Sequence, residues 1–372
     1  MAKGLCWLRT VISQLGGTTT RVIFTGQSGL AKGSLIREVK ALAEAAGRQV
    51  LYFHIGEMMY QASDPPIAPG RILRQDLSKL EGLRDKVFDQ ISHEIERNPD
   101  FDVFVDTHAT FRQEHGLFKG FLPSEVLQIK PDFCITLIAD VDEIKMRLPN
   151  SDYGEDLSLR DIVTWREEEI LGSELLSALV EKCTHYVVPR NFESKDLFRL
   201  LYDPEARPCY LSFPITGNIP STVRSRIDTF RKAFRRLPGL VVFDPLEATD
   251  EPTLIGKAKR TLRGKVKVIV DGKLLKIAKR EILDIARDIL GQTRAFDFRM
   301  VGQTKVTVAY VPVYNGKPFR ADGVTTELNY ATYRGKERYL IWPAKESPSL
   351  MLDPDETFKS IEQAVKFFKS ET

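Results

Sequence analysis

The sequence predicts two α/β domains in tandem, each a parallel sheet with helices flanking it. Three observations carry this. Short apolar runs of strand type alternate with longer segments of helical period along most of the chain, a pattern that calls for parallel strands joined by crossovers. The alternation halts and restarts around Tyr202-Asp-Pro-Glu-Ala-Arg-Pro208, where two prolines and several charges follow a helix. Finally, 372 residues are about twice a usual domain, and 42% apolar with 28% charged residues suit two cores.

Residues 1–20 read as an N-terminal extension: one short amphipathic segment from Leu5 to Leu15, then a Gly-Gly-Thr-Thr-Thr breaker, with no cleavage-site pattern of a signal peptide. A first domain is expected over 21–200. Its strands are Val22–Thr25, Val50–Phe53, Val103–Asp106, Phe133–Ala139 and His185–Val188, and its helices Lys32–Ala46, Asp76–Arg97 and Ile162–Glu181. Residues 201–208 form the linker, and 209–372 the second domain. Strands Cys209–Phe213, Leu240–Phe243, Val306–Val311 and Arg338–Trp342 alternate there with helices Ser221–Leu237, Lys279–Gly291, Gly323–Arg334 and Thr357–Lys369. The basic stretch 256–280, with Lys257, Lys259, Arg260, Lys265 and Lys267, reads as a solvated face.

Composition narrows the function. No apolar run reaches the ~18 residues of a membrane span, so no membrane partner is expected. The four cysteines, Cys6, Cys134, Cys183 and Cys209, lie far apart, which excludes a disulfide scaffold or cysteine zinc ribbon and points to a cytoplasmic protein. Lys+Arg 54 against Asp+Glu 51 leaves only +3, with the signs interspersed, so DNA or RNA is not the expected main partner. Small phosphorylated ligands fit better.

The first candidate site follows strand Val22–Thr25. Gly26-Gln-Ser-Gly29-Leu-Ala-Lys32-Gly33-Ser34 leads straight into a helix. Glycines let backbone N–H groups approach phosphate oxygens, the helix dipole favours the anion, and Lys32 adds a formal charge. Asp106 ends the strand Phe101-Asp-Val-Phe-Val-Asp106, where a carboxylate can hold the water shell of a magnesium ion beside the phosphates.

These residues resemble a family. Lys32-Gly33-Ser34 is similar to the Lys-Gly-Thr ending of adenylate kinase phosphate loops. Val105-Asp106-Thr107-His108-Ala109-Thr110, Gly120-Phe121-Leu122-Pro123 and Pro131-Asp132 resemble the archaeal-type adenylate kinases, and His54-Ile-Gly56-Glu57-Met58-Met59 the loop that embraces the acceptor nucleotide. The resemblance implies a P-loop NTPase sheet binding ATP and Mg2+. Gly26, Gly29, Lys32, Gly33 and Ser34 would hold the phosphates, with Lys32 catalytic, Ser34 and Asp106 on the metal, and Gly56 facing the substrate. The chain departs from the family after Arg147. Acidic Asn150-Ser-Asp152-Tyr-Gly-Glu155-Asp156 stands where lid arginines are expected, and Gly172-Ser173 where another would lie; Arg160 and Arg166 are candidate substitutes.

In the second half, Tyr210-Leu-Ser212-Phe-Pro-Ile-Thr-Gly217 is a strand running into a small-residue turn, and Gly323-Val-Thr-Thr-Glu327 opens a helix after a strand. A carboxylate such as Glu327 can attack an anomeric carbon, or it can be a solvated helix charge. Together with Asp297-Phe-Arg299-Met-Val-Gly-Gln303, these segments resemble nucleoside 2-deoxyribosyltransferases and nucleoside 5′-monophosphate N-glycosidases. That resemblance implies a flavodoxin-like (Rossmann-like) domain with Glu327 as nucleophile and Asp297 beside it. Tyr210, Ser212, Gly217, Arg299 and Gly323 would meet the substrate, and a homo-oligomer would complete the site. The expectation is an enzyme acting on nucleotides and nucleosides, its ATP-binding kinase-like domain fused to a glycosidase or transferase. The alternative is a sensor whose inactive kinase-like domain gates the second.

Overall fold

A computed structural model describes residues 19–68, 70–113, 116–148, 157–215, 217–262, 264–348 and 352–371. The chain divides into two compact units, Met1–Tyr202 with Thr249–Gln292 and Asp203–Ala248 with Thr293–Thr372.

The first unit is built on strands β1 (Arg21–Thr25), β2 (Val50–His54) and β3 (Asp102–Asp106), a hairpin of β4 (Thr110–Gln113) and β5 (Gly116–Lys119), and strands β6 (Phe133–Ile138) and β7 (Thr184–Pro189). The main sheet has the order β2-β3-β1-β6-β7, parallel throughout, with Ile23 between Val105 and Cys134 in register. Such sheets are covered on both faces, and β1 and β3 accordingly bury nearly every residue. The helices follow as α1 (Lys32–Ala45), α2 (Ile55–Ala62), α3 (Leu77–Arg97), α4 (Pro123–Ile129), α5 (Val141–Arg147), α6 (Leu159–Ser177) and α7 (Ser194–Tyr202). Leu80, Leu83, Val87, Ile91 and Ile95 give α3 one apolar face at helical spacing. Helix α6 starts earlier than its apolar period suggests, because Ser158 and Asp161 form a reciprocal capping box.

The second unit begins with β8 (Arg207–Ser212), α8 (Ser221–Phe234), β9 (Leu240–Phe243) and the short α9 (Pro245–Ala248). The chain then returns to the first unit for α10 (Glu251–Arg260), the antiparallel hairpin β10 (Lys265–Val270) and β11 (Lys273–Ala278), α11 (Lys279–Asp284) and the start of α12 (Ala286–Gln303). Strand β12 (Val306–Tyr310), two-residue β13 (Val313–Tyr314) and β14 (Lys317–Pro318), α13 (Asp322–Tyr333), β15 (Glu337–Ile341), β16 (Glu356–Phe358) and α14 (Ile361–Ser370) complete the second unit. Its parallel sheet runs β16-β15-β12-β8-β9. From the β9 edge this is the flavodoxin-like strand order expected for the second half, whose ligand crevice lies at the carboxyl ends of the first and third strands.

The structure departs from the sequence reading at three places. Residues 249–292, expected in the second domain, group with the first unit. The basic stretch does expose Lys257, Lys259, Arg260, Lys265 and Lys267 as a solvated face, but it forms a helix and a hairpin that were not expected, with Val266, Val268 and Val270 turned inward. The expected helix Lys279–Gly291 breaks at Ile285 and resumes to Gln303, so Asp297 and Arg299 lie within a helix.

A buried ion pair fastens residues 249–292 to the first unit. The Arg166 guanidinium on α6 donates to Glu251 at 2.7 and 3.0 Å and to the Gln292 side-chain oxygen at 2.7 Å, and Glu251 also accepts the Val141 N–H. The two side chains are 6% and 1% exposed. Removing one partner of such a pair leaves an uncompensated buried charge. Arg166→Ala is therefore expected to destabilise the first unit by about 3–5 kcal/mol, read as the shift of its urea unfolding transition. A shift under ~1 kcal/mol would mean the pair sits in water, where such bridges contribute little.

Candidate functional site

The loop between β1 and α1 is set by backbone geometry. Gly26 has φ 136° and Gly29 φ 84°, both in the region glycine favours. A Cβ on Gly26 would come within 2.6 Å of the Leu137 carbonyl oxygen. Ala31, at the N-cap of α1, holds φ 55° despite its side chain, a sparsely populated conformation of the kind that gathers at functional loops.

Lys32 is buried. Its ammonium donates to the Gly26 carbonyl at 3.0 Å and stands 3.5 Å from Asp106. Asp106 also accepts from the Tyr52 hydroxyl at 3.2 Å, and His54 Nε2 lies 3.7 Å away. His108 stacks on Trp165, and its pKa falls well below the usual histidine range because it is desolvated and near Lys32. Its imidazole is neutral. Beneath the loop, Glu169 accepts the N–H groups of Gly26, Ala109 and Thr110 at 2.7, 2.9 and 2.8 Å.

A cleft of about 550 Å³ opens here, bordered by Gly26's neighbours Gln27 to Gly33, with Gly56, Asp106 and His108. Beside it lies an apolar recess of about 120 Å³ walled by Ile55, Met59, Leu73, Leu80 and Phe111, with Arg84 at its edge. Gly29, Lys32, Gly33, Gly56 and Asp106 thus meet around one space. Ser34 is exposed on the first turn of α1. A ready cradle of N–H groups and a buried ammonium fit a phosphate chain. One carboxylate at the strand end fits magnesium, which is held by few protein ligands together with phosphates and water.

The lid expected at Asn150–Asp156 lies outside the described residues. Arg160 donates to Asp288 and to the Asp284 carbonyl, each at 2.7 Å, so both candidate substitutes, Arg160 and Arg166, turn to residues 249–292. Tyr52, His54, His108 and Glu169 were not singled out as site residues from sequence. His54 and His108 stand inside the motifs that resemble adenylate kinases, and Glu169 falls on the inward period of α6 with Ile162, Arg166 and Ser173.

In the second unit, Ser212 ends β8 at the crevice and donates to Glu327 on α13 at 2.5 Å. Burial pushes Glu327 up to about 8, opposed by the Ser212 hydrogen bond and reinforced by Asp297. Burial raises Asp297 to about 6, with Tyr210 opposing it. Tyr210 lies near both carboxyls and its buried hydroxyl has no well-formed hydrogen bond, while Gly323 presents its bare Cα side to Glu327. Tyr210, Ser212, Asp297, Gly323 and Glu327 therefore converge. Arg299, two residues beyond Asp297, lies on another side of α12. Gly217 has φ 94° in the turn after β8, next to residue 216, which lies outside the described residues.

The loop, the strand order and the placement of Lys32 against Asp106 make the first unit a kinase-like P-loop domain. Over 130 residues the chain is 29% identical to the adenylate kinase of Pyrococcus abyssi (strain GE5 / Orsay), an alignment covering 33% of this chain and 61% of that protein. The chain thus spans about three fifths of that relative's length. Among solved structures, a shikimate kinase from Acinetobacter baumannii in complex with shikimate matches 50% of this chain and 93% of its own at 15% identity and TM-score 0.33. A chain of the PezAT chromosomal toxin–antitoxin system of Streptococcus pneumoniae matches 61% and 93% at 11% identity and TM-score 0.29. No family model matches the chain. Among the described residues, no helix is long and apolar enough to cross a membrane.

The raised Glu327 value implies a pH dependence. From its ordinary 4.5 up to about 8 the folded state holds a proton that the unfolded chain has released. The stability tied to this carboxyl is whole below pH 4.5 and falls by up to ~1.4 kcal/mol per pH unit until about pH 8. Asp297 adds a smaller fall up to about pH 6. Glu327→Gln, which mimics the protonated form, should flatten the slope above pH 6. Urea midpoints of both proteins at pH 6 and 9 test this, and parallel slopes would contradict it.

Proposed function

We propose that the chain is a two-site nucleotide-metabolising enzyme, with ATP and Mg2+ bound in the kinase-like unit and an N-glycosidic bond of a nucleoside or nucleoside monophosphate cleaved or exchanged in the other. The observation that carries the first half is the buried Lys32 ammonium, held between the phosphate loop and Asp106 at the mouth of the cleft. Lys32 and the loop N–H groups would neutralise the phosphates, and Asp106 would orient the metal's water shell; magnesium supplies charge compensation when bound. The apolar recess beside the loop suits the flat ring of an acceptor.

For the second half, the support is two buried carboxyls with separated values, about 8 and about 6, under one tyrosine. Glu327, once ionised, would form a bond to C1′ as the bond to the base breaks and its electron pair leaves on the base. Positive charge developing at C1′ favours the ionised Glu327 at that moment. Water then completes hydrolysis, or a second base completes transfer. A sensor reading, in which the first unit binds ATP without transferring phosphate, is favoured by one observation: Arg166 is committed to Glu251.

Chromatography of products from a panel of nucleoside monophosphates, with and without ATP and Mg2+, tests both halves. Glu327→Gln should cut release of free base by at least about 10³-fold. Lys32→Ala should weaken ATP binding by roughly 10–100-fold, the loss of a charged hydrogen-bonding partner, and abolish any diphosphate product. Free base undiminished in Glu327→Gln would remove the glycosidase assignment. ATP binding unchanged in Lys32→Ala would remove the phosphate-loop assignment.

A further inference from the structure

Two guanidinium groups border the phosphate loop. Arg147 ends α5 with its stem against the loop: a Cβ on Gly29 would stand 3.5 Å from the Arg147 Cβ. Arg190 donates from Nε to the Leu30 carbonyl at 2.9 Å. Glu143, one turn before Arg147, accepts from Arg147 Nη1 at 3.1 Å and lies 3.6 Å from Arg190. The second anion comes from 124 residues further along the chain, where Asp271 at the turn of hairpin β10–β11 accepts from Arg147 Nε at 2.7 Å. Arg147 Nη2 is buried and meets no acceptor among the described residues.

This arrangement is unequal. Glu143 belongs to the same helix as Arg147, whereas Asp271 reaches in from a turn with its side chain 50% exposed and its backbone at φ 48°. The Arg147 guanidinium holds the Asp271 carboxyl below its usual range, so it is ionised near neutral pH. A solvent-facing carboxylate is weakly held, and a polyphosphate offers a guanidinium more charge and more acceptors. The orphaned Nη2 is a donor ready for one of them.

We propose that Asp271 is a tethered stand-in for a nucleotide phosphate: it occupies Arg147 in the ligand-free chain and is displaced when a nucleoside triphosphate settles on the loop. Hairpin β10–β11 then competes with nucleotide for one cation and restrains occupancy of the site. This rests on the reading that the loop binds ATP.

The test is calorimetric titration of the full chain with ATP at low ionic strength. Asp271→Asn removes the charge but keeps the turn, because asparagine tolerates left-handed backbone. It should bind ATP about two- to fivefold more tightly, the strength of one exposed ion pair, and the same substitution in an Arg147→Gln background should change nothing. Equal or weaker binding by Asp271→Asn overturns the proposal while Lys32→Ala still shows that the loop holds ATP. A wild-type chain that binds no ATP overturns both.

Discussion

A buried carboxylate fixes the geometry on which the first site depends. Glu169 gathers the N–H of Gly26, where the phosphate loop begins, and those of Ala109 and Thr110, where the chain leaves β3; the Thr110 hydroxyl completes the set at 2.8 Å. Two loops from adjacent strands are thereby held at one level above a single acidic group. Burial works against its charge, and Lys32 with the three amides works for it. Helix α6 supplies more than this carboxylate. Ser173 meets the Thr25 hydroxyl at 2.7 Å, Trp165 donates to the Thr110 carbonyl at 3.2 Å, and Arg166 reaches Glu251. The loop's shape is thus imposed from a helix distant in sequence and close in space.

The two crevices pose opposite electrostatic problems with the same architecture. Both sit at the carboxyl ends of parallel strands, where helix N-termini and loops converge. In the first, an ammonium is buried with a carboxylate beside it and a histidine that desolvation and the nearby Lys32 keep neutral. In the second, two carboxyls and a tyrosine hydroxyl are buried together, and burial pushes the pKa of each upward. The first space buries a cation beside a carboxylate, whereas the second buries two carboxyls close to each other.

Much of this was legible in the residues, for a physical reason. A phosphate loop is local: strand, glycines, lysine and helix follow one another, so Gly26 to Gly33 and the strand carrying Asp106 could be placed by spacing alone. The parallel strands of the second sheet likewise followed from alternation, while their flavodoxin-like order was implied by the resemblance and matches the observed one. What spacing does not encode is which distant polar groups meet. The Arg166–Glu251 pair joins positions 85 residues apart, and nothing in the helical period around Arg166 names its partner. The lysines of 256–280 do form a charged surface, but they masked a strand alternation in which every second residue is a buried valine. The helix expected to end at Gly291 is broken at Ile285 instead, and its second part runs through Asp297 to Gln303.

The first unit is assembled from two stretches of chain interrupted by Asp203–Ala248. During synthesis, Arg166 leaves the ribosome long before Glu251 exists to receive it. At ~5–20 residues per second, the roughly 50 residues from Tyr202 to Glu251 take about 2–10 s to make. For that interval the nascent kinase-like sheet carries an arginine without its buried counter-ion. The vectorial order of domain maturation is therefore inverted: the piece that completes the first unit is translated after the opening strands of the second.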